Sequence, residues 1–133
     1  MRLLRAASCV LVATVAAACA DSEEAPAPES FGGGDARAGA AHYRIYCATC
    51  HGETGCGDGP LSASLDPKPA KHCDGEYMNA LSDDHLFTVV KEGGQAAGKS
   101  AQMAAWGGSL SDAQIIDVIA FMRSVADPPY QAP

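Results

Sequence analysis

The chain of 133 residues carries 16 acidic against 9 basic side chains, a net charge of −7, and two of the basic ones, Arg2 and Arg5, fall in a leader. That balance excludes a sequence-independent grip on nucleic acid, which needs basic side chains to displace counterions from phosphate. With 14 Gly, 8 Pro and only 6% aromatic residues, loops are long and side chains supply little core, so a staple or prosthetic group is expected to supply the rest.

Residues 1–20 read as an export signal: Arg2 and Arg5 make the charged start, Ala6 to Ala18 an apolar stretch too short to span a bilayer, and small residues follow. Residues 21–34, DSEEAPAPESFGGG, have the composition of a disordered tether. Residues 35–127 are left as one small domain, with 128–133 as a tail. The first helix is predicted from Asp35 to Ala48, with Ala36, Ala40, Tyr43 and Cys47 at helical spacing. The second begins at the N-cap Ser82, carries Asp83 and Asp84 in its first turn, buries Leu86, Val89 and Val90, and stops at Gly93-Gly94. The third opens on the capping-box pattern Ser111-Asp112-Ala113-Gln114 and runs through Ile115, Val118, Ile119 and Phe121 to Val125, ahead of Pro128-Pro129. Strand-like alternation, internal repeats and dinucleotide-type glycine motifs are all missing, so the fold class is all-α.

The six cysteines sort by position. Cys9 lies within the leader and Cys19 at its end. Val15-Ala16-Ala17-Ala18 resembles a lipobox, which implies a lipid on Cys19 and an extracytoplasmic, membrane-anchored domain, periplasmic in a bacterium; the other reading is cleavage after Ala-x-Ala with Cys19 discarded or left as an odd thiol. Export puts the remaining four in an oxidising compartment, where thiols are normally bonded to something. In Cys47-Ala48-Thr49-Cys50-His51, two thiols on one turn reach both vinyl groups of a single porphyrin, and the following histidine is held beneath the iron. A thioredoxin-like dithiol would want a βαβ context, and a zinc site would have to borrow Cys56, Cys73 and His72. The histidine directly after the second cysteine favours one covalently bound haem c. Cys56 and Cys73 flank the segment Gly57 to His72, which has little apolar content; a disulfide there would contribute roughly 3 kcal/mol, the other readings being free thiols or a metal.

With these residues the chain resembles the small class I monohaem c-type cytochromes of exported bacterial proteins over residues 35–126. In that family a glycine and an aromatic, here Gly39 and Tyr43, precede the first haem cysteine and pack against the closing helix, here through Val118 and Phe121. The resemblance implies a small cytochrome c fold, three main helices and long loops around one haem. Gly57-Asp58-Gly59-Pro60-Leu61 resembles the loop whose proline carbonyl accepts a hydrogen bond from the proximal histidine, which would make Pro60 the partner of His51. For the sixth iron ligand the candidates are Met78, Met103, Met122, His42, His72 and His85. Met103, in the loop between Gly98 and Gly107, stands where the family carries its axial methionine. Met122 reads as core, Met78 as packing ahead of the second helix, and His85 as exposed.

His51 and Met103 as axial ligands would favour ferrous iron and close the iron to substrate, so the expected function is one-electron transport rather than catalysis. The rival readings are a haem protein with an open sixth position, gas-binding or peroxidase-like, and a zinc-binding interaction module. The acidic surface implies transient docking, as a monomer, on larger redox proteins or respiratory complexes through a basic patch. Trp106 and Tyr77 read either as core or as hydrogen-bond donors to haem propionates, and Lys99 as a solvated side chain.

Overall fold

The computed structural model describes residues 33–131. The predicted leader with Cys9 and Cys19, and the tether up to residue 32, lie outside them. Five α-helices follow in order: α1 (Ala36–Tyr46), α2 (Ala48–His51), α3 (Gly75–Asn79), α4 (Asp83–Glu92) and α5 (Asp112–Ser124). Among the described residues the one strand-like pairing is an isolated parallel bridge between Asp74 and Asp127, and no helix is long and apolar enough to cross a membrane. The all-α architecture expected from the sequence is the one observed.

Side-chain caps start α1, α4 and α5. Asp35 caps α1, its carboxylate accepting from the backbone N–H groups of Arg37 and Ala38 at 2.8 and 3.2 Å. Ser82 caps α4 by accepting from the N–H of His85. On α5 the predicted capping box is complete: the Gln114 N–H donates to the Ser111 hydroxyl at 3.3 Å, and the Ser111 N–H donates to the Gln114 side chain at 2.9 Å. Gly93, at φ +84° and ψ 166°, takes an extended positive-φ conformation open to glycine and ends α4.

The core is built on the crossing of α1 with α5. Ala36, Gly39 and Tyr43 form the buried stripe of α1, while Ile115, Val118, Ile119 and Met122 are buried on α5. A Cβ on Gly39 would collide with the Asp117 carbonyl and come within 2.9 Å of the Val118 nitrogen, so only glycine lets the two backbones approach this closely. One turn on, the Tyr43 ring lies 4.8 Å from that of Phe121, and the Asp35 N–H donates to the Asp117 carboxylate at 2.8 Å. The crossing expected from Gly39, Tyr43, Val118 and Phe121 is therefore present.

Three local expectations differ. The single first helix breaks at Cys47, whose carbonyl accepts from both the Cys50 and His51 N–H groups and so starts a new turn, α2. Helix α3 was not anticipated; Asp74 caps it through the N–H of Tyr77 and Met78 is its fully buried anchor. The stretch set apart as a tail from 128 onward packs back on the domain: the Tyr130 hydroxyl donates to Asp83 at 3.2 Å and its ring lies 4.1 Å from the Arg123 guanidinium. Arg123 itself is 4% exposed, ion-paired to Asp83 and bonded to the carbonyls of Met78 and Leu81. These bonds lock α5 to the α3–α4 junction and leave no buried cation unpaired.

Candidate functional site

The turn α2 carries Cys47, Cys50 and His51 to the wall of one cavity of about 690 Å³, within the range of roughly 300–1,000 Å³ that cofactor sites occupy. Cys47 and Cys50 are free thiols, the first buried and the second half-buried. Burial, with Cys50 adding to it, pushes the Cys47 thiol up to about 12, the opposite of what a thiol–disulfide exchange enzyme needs. Cys56 and Cys73 are joined as a disulfide, which removes them from any zinc set; among the described residues no group of three or more His, Cys, Asp or Glu stands together as a metal site.

His51 is held by its Nδ1, which lies 2.9 Å from the Ala70 carbonyl, so Nδ1–H donates there and the Nε2 lone pair is left available to a metal. Burial lowers its pKa, opposed by the bond to Ala70, and keeps the ring neutral, as a metal ligand must be. The expectation that Pro60 supplies this carbonyl is corrected. Gly59 lies so tightly against the backbone of Ala48, Thr49 and Cys50 that its loop is pinned to the outer side of α2, where the Leu61 N–H bonds the Thr49 carbonyl and Pro60 is exposed. The acceptor comes instead from the far end of the Pro67–Ala70 stretch. That stretch is brought back alongside Gly55 and Gly57 by the Cys73 N–H bond to the Gly55 carbonyl and by the Cys56–Cys73 disulfide.

A second histidine backs the first. His72 stacks on His51 with ring centroids 4.4 Å apart and planes 19° from parallel, and the Tyr43 hydroxyl meets its Nδ1 at 2.8 Å. Burial, reinforced by the nearby His51, holds His72 neutral at a pKa of about 3, and burial pushes Tyr43 above its ordinary range, so the phenol donates and the imidazole nitrogen accepts. A ring stacked on His51 cannot reach the opposite face of an iron that His51 binds, which removes His72 from the sixth-ligand candidates. The sequence contained His72 and Tyr43 as separate residues and held no signal that they pair.

The facing wall comes from α4 and the loop after it. Gly93 and Gly94 lie against Met103, with a Cβ on Gly94 2.9 Å from the Met103 Cβ; the Gly94 N–H donates to the Met103 carbonyl at 2.9 Å. Trp106 and Gly107 donate their N–H groups to the carbonyls of Val90 and Lys91, both at 3.0 Å, zipping the loop to the end of α4. Met103, Met78, Met122 and His85 line the cavity together with His51, whereas His42 does not. Met78 and Met122 are buried and packed into the core, while Met103 is half-exposed on its loop. His85, read as exposed, is half-buried at the cavity wall, and Trp106 packs on Tyr46 with ring centroids 5.2 Å apart.

Both thiols, a neutral oriented imidazole and a thioether thus share one largely apolar cavity, the donor set a covalently attached haem requires. No curated protein and no solved structure matches the chain. A family model does: the one described as cytochrome c oxidase, cbb3-type, subunit III matches residues 34–122, from the residue before Asp35 through α5 to Met122. Because the match spans the α1–α5 crossing, the C-x-x-C-H turn and the Met103 loop together, the chain belongs to that c-type cytochrome family.

Proposed function

We propose that the chain binds one haem c covalently through Cys47 and Cys50, with His51 and Met103 as axial ligands, and works as a one-electron carrier rather than an enzyme. What carries this reading is that His51, tied at Nδ1 to the Ala70 carbonyl, and Met103 line the same cavity as the two free thiols. The haem supplies a ferric–ferrous couple, raised in potential by the thioether. Cys47 and Cys50 would fix its place, the His51–Ala70 bond and the stacked His72 ring would hold the imidazole, and the loop bonded to the end of α4 would present Met103. We further propose that the domain is exported and held at a membrane by a lipid on Cys19. It would dock as a monomer on a larger redox partner bearing a basic patch, a respiratory oxidase being the partner that the family's description suggests.

The test is the protein matured in a host that attaches haem c. A pyridine haemochrome assay and an intact mass after acid denaturation are expected to give one haem per chain that survives acid. Loss of the haem in acid defeats the thioether assignment. Carbon monoxide is expected not to bind the reduced protein; ready binding by the wild type would favour the rival reading, an open sixth position.

A further inference from the structure

The charges around the cavity are not those of the rest of the chain. In a sequence with 16 acidic against 9 basic residues, the cavity lining holds no Asp or Glu and yet includes Lys68 and Lys99. Elsewhere among the described residues Arg44, Lys91 and Arg123 each meet a carboxylate, at 3.3, 2.8 and 2.8 Å. Lys68 has none: its Nζ donates to the carbonyls of Ser62 and Ala63 at 3.2 and 2.8 Å, which uses two of the three donors of an ammonium and leaves the third. Lys99 is anchored only through its backbone, its N–H donating to the Gly94 carbonyl at 2.7 Å, and its side chain is exposed.

The two lysines come from the two walls. Lys68 lies on the stretch that ends in Ala70, the acceptor of His51; Lys99 lies four residues before Met103 on the loop that faces it. Both lysines line the same cavity and are exposed, so a charged group at its mouth would lie beside both. The only ionised groups of haem outside the iron are two carboxylates, and a carboxylate drawn against an apolar wall is costly unless a cation or donor meets it. Resting on the haem reading above, we propose that Lys68 and Lys99 clamp the haem carboxylates at the cavity mouth. The clamp holds positive charge near the iron and so favours the ferrous state and a higher potential. Lys99 is exposed, as the sequence reading expected, and the clamp gives it a partner once haem is bound.

The experiment uses the holoprotein and measures the midpoint potential at low and high salt for Lys68→Gln, Lys99→Gln, their double variant, Lys68→Arg, Lys99→Arg and Lys71→Gln. Lys71 is exposed, bears the same charge and does not line the cavity, so it reports the general effect of removing a positive charge. Each cavity Gln variant is expected to lower the potential more than Lys71→Gln does, the double to lower it further, and the Arg variants to stay near wild type. Both cavity lysines are exposed and therefore screened by salt, so the excess over Lys71→Gln should be clearest at low salt. All three target sites are exposed, so folding is not at stake. If either cavity lysine shifts the potential no more than Lys71→Gln, the clamp is overturned while a normal haem spectrum leaves the carrier reading intact; absence of covalent haem overturns the carrier reading itself.

Discussion

Gly39→Ala separates two opposing effects in sign. Gly39 sits inside α1, where alanine is favoured over glycine by about 1 kcal/mol on helix propensity alone. Against this, the new Cβ would fall on the Asp117 carbonyl and within 2.9 Å of the Val118 nitrogen, backbone atoms of α5 that cannot swing aside. Relief requires the helices to part, an overpacking cost of about 1–3 kcal/mol. Parting also weakens the Asp35 N–H bond to Asp117 at 2.8 Å, worth about 1 kcal/mol, and the Tyr43–Phe121 contact at 4.8 Å, worth about 0.5–1.5 kcal/mol. Less the propensity gain, the net loss is about 1.5–4.5 kcal/mol. Guanidinium unfolding of the holoprotein reads it as a lower midpoint at unchanged slope. Ala41→Gly, exposed on the same helix, is the comparison and is expected to lose only about 1 kcal/mol. A Gly39→Ala midpoint equal to or above wild type would mean that propensity wins, and the close crossing would have to be abandoned.

Replacing Met103 with Ala is expected to abolish the weak near-infrared thioether-to-ferric band, lower the potential and let carbon monoxide bind the reduced protein; if Met78→Ala does this instead, the ligand is misassigned. Met78→Ala should leave the iron closed but cost about 2–5 kcal/mol in denaturant unfolding, because Met78 is fully buried. Cys56→Ser opens a bridge between residues 17 apart in sequence and is expected to lose about 3 kcal/mol; a midpoint within error of wild type would show that the segment between them is held by other contacts. Asp83→Ala strands the Arg123 guanidinium, whose side chain is 3% exposed, and should cost about 3–5 kcal/mol, whereas a loss under about 1 kcal/mol would show that Arg123 finds water or Tyr130 instead.

What the sequence determined by itself lies within one or two helical turns. The N-caps Ser82 and Ser111 satisfy donors three residues ahead, so their chemistry needs no tertiary contact to be read. The C-x-x-C-H turn is equally local, whereas the crossing at Gly39 and Tyr43 was implied by the resemblance to the c-type cytochromes and not by spacing alone. The partner of His51 is of another kind. Pro60 and Ala70 both follow the histidine in loops, and which carbonyl arrives is decided by how Gly59 pins one loop outside and the Cys56–Cys73 bridge returns the other. The same holds for His72, 21 residues beyond His51 in the chain yet stacked on it, and for Tyr130, returned onto Asp83 from 47 residues away. A loop's path is set by the sum of many weak, distant contacts against chain entropy, and no short pattern encodes that sum. Tertiary structure alone therefore decided what stands behind the histidine and which lysines border the cavity.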